Sequence, residues 1–259
     1  MTIPILDTRT PPRSAFNPAN WQGALPDPFH GEASQVFETN SPFEDIPLYC
    51  WFRYCLPTFN QKGPSCVGQG WANWLELMIR RYISPQAFRL GEQISGEMIH
   101  AKGRDMFWNG DQDGGLLLPQ GFEAMKALGL IPDGSKLFAI KPDWRSRAAV
   151  LAVTPLVQGH HVHAGWADPD PKSGCIDHAP VPTDADGYHC TLQIGQLVQE
   201  ETKYNVSQNS WGPDWAWHGL FLMTEAEDKA TRMPDGPYTI VLPDGWRSFD
   251  GWRKGVVRC

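Results

Sequence analysis

The sequence predicts an α+β protein, with helices in its first half and an antiparallel sheet in its second. Two patterns support this. Trp71, Trp74, Leu75, Met78, Ile79 and Tyr82 recur with the 3.6-residue period of one helical face. Further along, Cys190, Leu192 and Ile194 alternate with Thr191 and Gln193, the two-residue period of a strand. Halves that fold into different layers form two lobes, and a cleft between lobes is the preferred place for a site.

The elements follow in order. Ser65 is a suitable N-cap for the first helix and Pro85 a suitable stop. Gly68 and Gly70 each weaken that helix by about 1 kcal/mol relative to Ala, so small residues are expected there to keep a cleft open. A second helix is expected over Gly96 to Lys102, capped by Ser95. A third is expected over Pro119 to Leu128, with Phe122, Met125 and Leu128 on its inner edge and Gly129 just past its end. Strands are expected over Ala148 to Val157, around Cys190 to Ile194, over Lys203 to Gln208 and over Gly219 to Met223. Residues 1–44 are rich in Pro, Asn, Asp and Ser and have no periodicity. They are expected to form an N-terminal extension or arm, wrapped on a domain of residues 45–259 or contacting a protein partner.

Composition narrows the function. The chain has 259 residues, is 41% hydrophobic, and has no apolar run long enough to span a membrane. Its net charge of −7 and lack of basic clusters weigh against nucleic acid, whose binding is largely electrostatic. No basic stretch followed by an apolar one opens the chain, so it is expected to be cytoplasmic at synthesis, with association with a virus particle as an alternative. Six cysteines are too sparse for a disulfide framework and are expected to be mostly free thiols. The twelve tryptophans suit fold contacts and interfaces where an apolar body meets a polar edge.

Cys66 opens the first helix, where backbone N–H groups and the helix dipole favour a thiolate, the nucleophilic form of the side chain. A nearby imidazolium would favour that thiolate further, and His189, which begins a predicted strand, is one candidate. Asn209 lies in a predicted turn. His178 is the rival to His189, but Pro180 and Pro182 follow it and prevent a central strand from continuing. No metal or cofactor is expected. Asn109, Asp111, Asp113 and Gly114 sit at calcium-loop positions, but Gln120 stands where a bidentate Glu is required. His160, His161 and His163 form a cluster with no fourth zinc ligand, and only the last two share a strand face.

Three segments, in order, resemble those of papain-like cysteine peptidases. They are Gln61-Lys62-Gly63-Pro64-Ser65-Cys66, Gly187-Tyr188-His189-Cys190 and Gln208-Asn209-Ser210-Trp211-Gly212-Pro213-Asp214-Trp215. The resemblance spans about residues 46–225 and is to the bacterial and phage members. It implies a papain-like two-lobed fold, with Cys66 on a helical lobe and His189 and Asn209 on a β-rich lobe. It also implies a cysteine peptidase acting through a Cys66 thiolate, a His189 imidazolium and an acyl-enzyme. Gln61 would donate to the oxyanion, although it precedes Cys66 by one residue fewer than in the family, and Val67 replaces the usual Trp. Asp111-Gln112-Asp113-Gly114-Gly115 is similar to the family loop whose second Gly pairs its backbone with an extended substrate. Tyr188 would border that substrate, and Trp211 would shield the His189–Asn209 bond. The alternatives left open are a Cys-His amidohydrolase acting on cell-wall peptides and a retained fold serving as a structural or binding module in an assembly such as a phage particle.

Overall fold

The computed structural model describes residues 36–37, 49–88, 93–111, 114–170, 173–176, 187–234 and 236–249. The expected arm over residues 1–44 lies almost wholly outside them, as does His178. Among the described residues the order is β1 (Val36–Phe37), α1 (Tyr49–Phe52), α2 (Cys66–Tyr82), α3 (Gly96–Phe107), α4 (Leu118–Ala127), β2 (Lys136–Ile140), α5 (Trp144–Leu151), β3 (Leu156–Val162), β4 (Gly187–Gln199), β5 (Thr202–Gln208), β6 (Leu220–Thr224), α6 (Glu225–Thr231) and β7 (Tyr238–Val241). The expected α+β division holds.

α2 is the axis of the first lobe. It packs against α3 and α4 on one side and β4 on the other. The sequence shows one apolar face, yet every residue from Cys66 to Ile79 is buried. The two early glycines explain how the helix fits. A Cβ on Gly68 would lie 2.0 Å from the Gly96 carbonyl oxygen of α3, and one on Gly70 would lie 2.7 Å from Cys190 Sγ of β4. They permit close packing between elements rather than keeping a cleft open. Ser65 precedes α2 but does not cap it, because its hydroxyl donates to the Lys62 carbonyl at 3.2 Å.

The second helix starts where expected, with Ser95 Oγ accepting from Met98 N at 3.1 Å, but runs five residues further, to Phe107. The third begins at Leu118, where Gln120 Oε1 accepts from Leu117 N at 2.9 Å, and Gly129 turns the chain with φ of 66°. The strand expected over Ala148 to Val157 is a correction. Its first half belongs to α5, and β3 begins only at Leu156. Asp143 caps α5 by accepting from Ser146 N at 3.0 Å, and Ala148, Val150 and Leu151 bury themselves with Ile140 and Leu156. A short apolar run satisfies either periodicity, and here the cap decided.

The sheet runs β1-β2-β7-β3-β4-β5-β6 and is antiparallel apart from the short β1–β2 pairing. β4 is its longest strand, with a register shift between Gln193 and Gly195. Two tryptophans tie the helices to the second lobe through their ring N–H groups, Trp51 donating to the Leu151 carbonyl at 2.6 Å and Trp74 to Thr154 Oγ1 at 3.0 Å, while Trp71 joins α2 to α4 by donating to the Leu118 carbonyl at 2.9 Å.

Two buried charged clusters sit in this frame. Arg147 of α5 pairs with Asp228 of α6 at 2.6 Å and also donates to Gln158 of β3 and Gln193 of β4. Removing Arg147 would leave the buried Asp228 carboxylate with Arg232 alone, at 2.7 Å, and take the shared donor from Gln158 and Gln193. Arg147→Met is therefore expected to destabilise the protein by about 3–5 kcal/mol, read by denaturant unfolding. In α2, Glu76 Oε1 accepts from Ile94 N at 2.6 Å, and burial pushes its carboxyl up to about 8, against the lowering effect of the Ile94 N–H, Gln93 and Arg80. The folded value lies above the ordinary 4.5, so this stabilisation is complete below that pH and lost as pH rises through about 8. Glu76→Gln keeps the acceptor for Ile94 and removes the titration. It should melt above the parent at alkaline pH and match it in acid.

Candidate active site

The fold brings the four expected catalytic positions together from three parts of the chain. Cys66 is the first residue of α2, and its Sγ accepts from the N–H of Cys190, the residue after His189 on β4, at 3.4 Å. The loop holding Asn209 lies against the segment preceding Cys66. Asn60 bridges Trp211, Gln61 N donates to the Ser210 carbonyl at 2.8 Å, and Gly212 N donates to the Phe59 carbonyl at 2.9 Å. Cys66 and His189 are completely buried, and Asn209 and Gln61 nearly so.

The hydrogen bonds at Asn209 assign the imidazole tautomer. Asn209 Oδ1 accepts from the backbone N–H of Ser210 at 2.7 Å, which identifies it as the carbonyl oxygen. His189 Nε2 lies 2.6 Å from that same oxygen and must therefore donate a proton to it. Nδ1 is left with the lone pair in the neutral ring, and it has no hydrogen-bond partner among the described residues. His189 is thus held with its basic nitrogen uncommitted.

Aromatic rings enclose this pair. The Trp211 ring centroid lies 4.6 Å from that of His189. Trp166, which the sequence reading did not single out, lies 6.0 Å away at 82° on a 3-10 turn after β3. Trp215 Nε1 donates to the Trp166 carbonyl at 2.9 Å, and Phe221 completes the cluster. The high tryptophan count was the one signal that could have pointed to Trp166.

Burial sets the electrostatics. It pushes the Cys66 thiol up to about 12, outweighing the lowering by the N–H groups of Cys190, Val67 and Cys66 itself. It pulls His189 down to about 4, against the raising effect of the Asn209 bond. Both groups are neutral at pH 7 in this closed arrangement. The helix terminus expected to favour a thiolate is overridden by desolvation.

Gln61 is anchored at both ends of its amide. Ser210 Oγ donates to its Oε1, and its Nε2 donates to the Gly63 carbonyl at 2.9 Å. Neither bond uses the second N–H of the amide. Gly114 is half-buried and Gly115 buried at the end of α3, between that helix and α4. Tyr188 is half-buried and stacks on His161, its cross-strand neighbour, at 4.7 Å between centroids.

The histidine cluster divides. His163 Nδ1 accepts from Gly165 N at 3.1 Å, so its Nε2 donates to the Glu227 carboxylate. His160 pairs across the sheet with His189 and lies 3.5 Å from Thr231 Oγ1 through Nδ1. Among the described residues no group of His, Cys, Asp and Glu is arranged to hold a metal ion.

Residues 143–240 match the family model described as papain family cysteine protease. Among solved structures, the chain is similar to xylellain, a cysteine protease from Xylella fastidiosa, with a TM-score of 0.65 and 16% identity over 87% of this chain and 97% of that one. It is similar to digestive procathepsin L2 proteinase from Tenebrio molitor larval midgut, with a TM-score of 0.61 and 13% identity over 87% and 78%. A third is the cysteine protease and lectin-like domains of Cwp84, a surface layer associated protein of Clostridium difficile, with a TM-score of 0.57 and 14% identity over 87% and 57%. None of the curated proteins compared with the chain matches it. The fold is papain-like, and residues 143–240 of it match the family model of the papain family cysteine proteases.

The buried histidines predict an acid limit. Burial takes His160 down to about 3, with Asp228 raising it and Arg147, Arg232 and His189 lowering it further. For His160 and His189 alike the folded value lies below the ordinary 6.5. Their stabilisation is complete above that pH and lost as pH falls through about 4 for His189 and about 3 for His160. His160→Gln should show a shallower fall in melting temperature than the parent over that acid range.

Proposed function

We propose that the chain is a cysteine peptidase that cleaves peptide bonds through Cys66, His189, Asn209 and Gln61. The observation that carries this reading is the hydrogen-bond pattern at Asn209, which leaves His189 Nδ1 as a free base beside the strand residue that contacts Cys66 Sγ. The Cys66 thiol gives its proton to His189 Nδ1, and the sulfur attacks the carbonyl carbon. The oxyanion takes the Cys66 N–H and the remaining N–H of Gln61. His189 returns the proton to the leaving amine, and water attacks the acyl-enzyme with His189 as base. Substrate entry must hydrate or open the pair, because charge separation is unfavourable in the closed state. Residues 1–44 are proposed as an extension that contributes to this closure, ahead of a peptidase domain over residues 45–259.

Complete burial of Cys66 favours a second reading, a papain-like fold serving as a binding module in an assembly. Thiol labelling with peptide mapping separates the two. Under the peptidase reading Cys66 reacts with iodoacetamide at about pH 6, where an ordinary thiol is almost wholly protonated, and His189→Ala slows it at least about tenfold. The chain beginning at residue 45 should react faster than the full chain. Labelling of Cys66 no faster than that of the other cysteines in both lengths would leave the binding-module reading in place.

A further inference from the structure

Arg104 lies in the last turn of α3 and is 2% exposed. A buried guanidinium needs partners, and nearly all of those found here belong to one loop. Nε donates to the Asp111 carbonyl, Nη2 pairs with the Asp111 carboxylate at 3.1 Å, and Nη1 donates to the Gly115 carbonyl at 2.9 Å. One planar cation thus closes both ends of the loop between α3 and α4. Space on the loop is matched to it, since a Cβ on Gly114 would lie 2.8 Å from Nη1. The Trp108 ring covers the guanidinium at 4.8 Å and itself donates to Gln120 Oε1 at 3.3 Å, on the first turn of α4. The fork geometry matters, because a lysine ammonium is a single point charge and cannot hold two carbonyls and a carboxylate in fixed directions.

We propose that Arg104 is a positioning residue, which holds the Gly114–Gly115 segment in the one conformation that an extended peptide substrate pairs with. This rests on the peptidase reading above. Main-chain pairing with a substrate is sensitive to the orientation of each peptide plane, so the loop must be set before substrate arrives. Arg104 does not touch the reacting atoms. Its loss should affect reagents that use the loop and spare those that do not.

The test compares two probes carrying the same warhead on the full chain, an epoxysuccinyl dipeptide and plain epoxysuccinate, with modification of Cys66 followed by peptide mapping. In the parent the peptide arm should accelerate modification. In Arg104→Lys that acceleration should fall about tenfold while the rate with plain epoxysuccinate stays within about twofold. A purely structural role for Arg104 would lower both rates together and leave their ratio unchanged, which overturns the proposal. Asp111→Asn, at an exposed position, serves where Arg104→Lys does not fold, and should lower the ratio in the same direction by a smaller factor. An unchanged ratio there overturns the proposal as well. Absence of Cys66 modification by either probe in the parent would instead sink the peptidase reading, and the clamp with it. Modification by both probes with no benefit from the peptide arm removes the clamp alone.

Discussion

Where α2 lies against β4, Gly70 and Cys190 leave no room for another carbon, and that contact sets how closely the helix approaches the strand. It brings the first turn of the helix to the strand position after His189, so the Cys190 N–H meets Cys66 Sγ. Gly68 allows the same helix to press against α3 from the other side. Both glycines cost helix stability in isolation. The burial of α2 on all sides offsets that cost, since tertiary packing rather than propensity supplies most helical stability.

That close packing also determines the electrostatics. A thiol at a helix N-terminus beside an imidazole would ordinarily ionise readily. Here both groups are buried, His189 against the Trp166 and Trp211 rings, and at Cys66 burial outweighs the dipole. The oriented parts of the site are in place without its charges. The tautomer of His189 is fixed, Gln61 is anchored, and Asn209 is held by its own neighbour.

The second lobe supports His189 from behind through polar contacts. Burial alone would raise the Asp228 carboxyl, but Arg147, His160 and Arg232 hold it below its ordinary value. Through Gln158 and Gln193, Arg147 links α5 to the two strands that carry His160 and His189. Removing Asp228 would leave the buried Arg147 without its carboxylate partner, whereas removing either arginine leaves Asp228 paired with the other. This network therefore couples the stability of the lobe to the placement of the imidazole.

Much of the site was legible in the sequence, because order along the chain and local spacing are sequence properties. Cys66 at a helix start, His189 on a strand and Asn209 in a turn before Trp211 could all be named. The α+β division followed from periodicity, and α2 ends where its pattern ends. The helix over Trp144–Leu151 was not legible, because a short apolar run fits a buried strand equally well. Nor was Trp166, which lies outside every motif and reaches His189 only through the fold. The roles of Gly68, Gly70 and Arg104 arise from contacts with distant elements. The sequence by itself determined which groups can do chemistry and in which elements they sit. Only the tertiary structure decided their distances, their tautomer and their charge state, because these depend on what surrounds each group and excludes water from it.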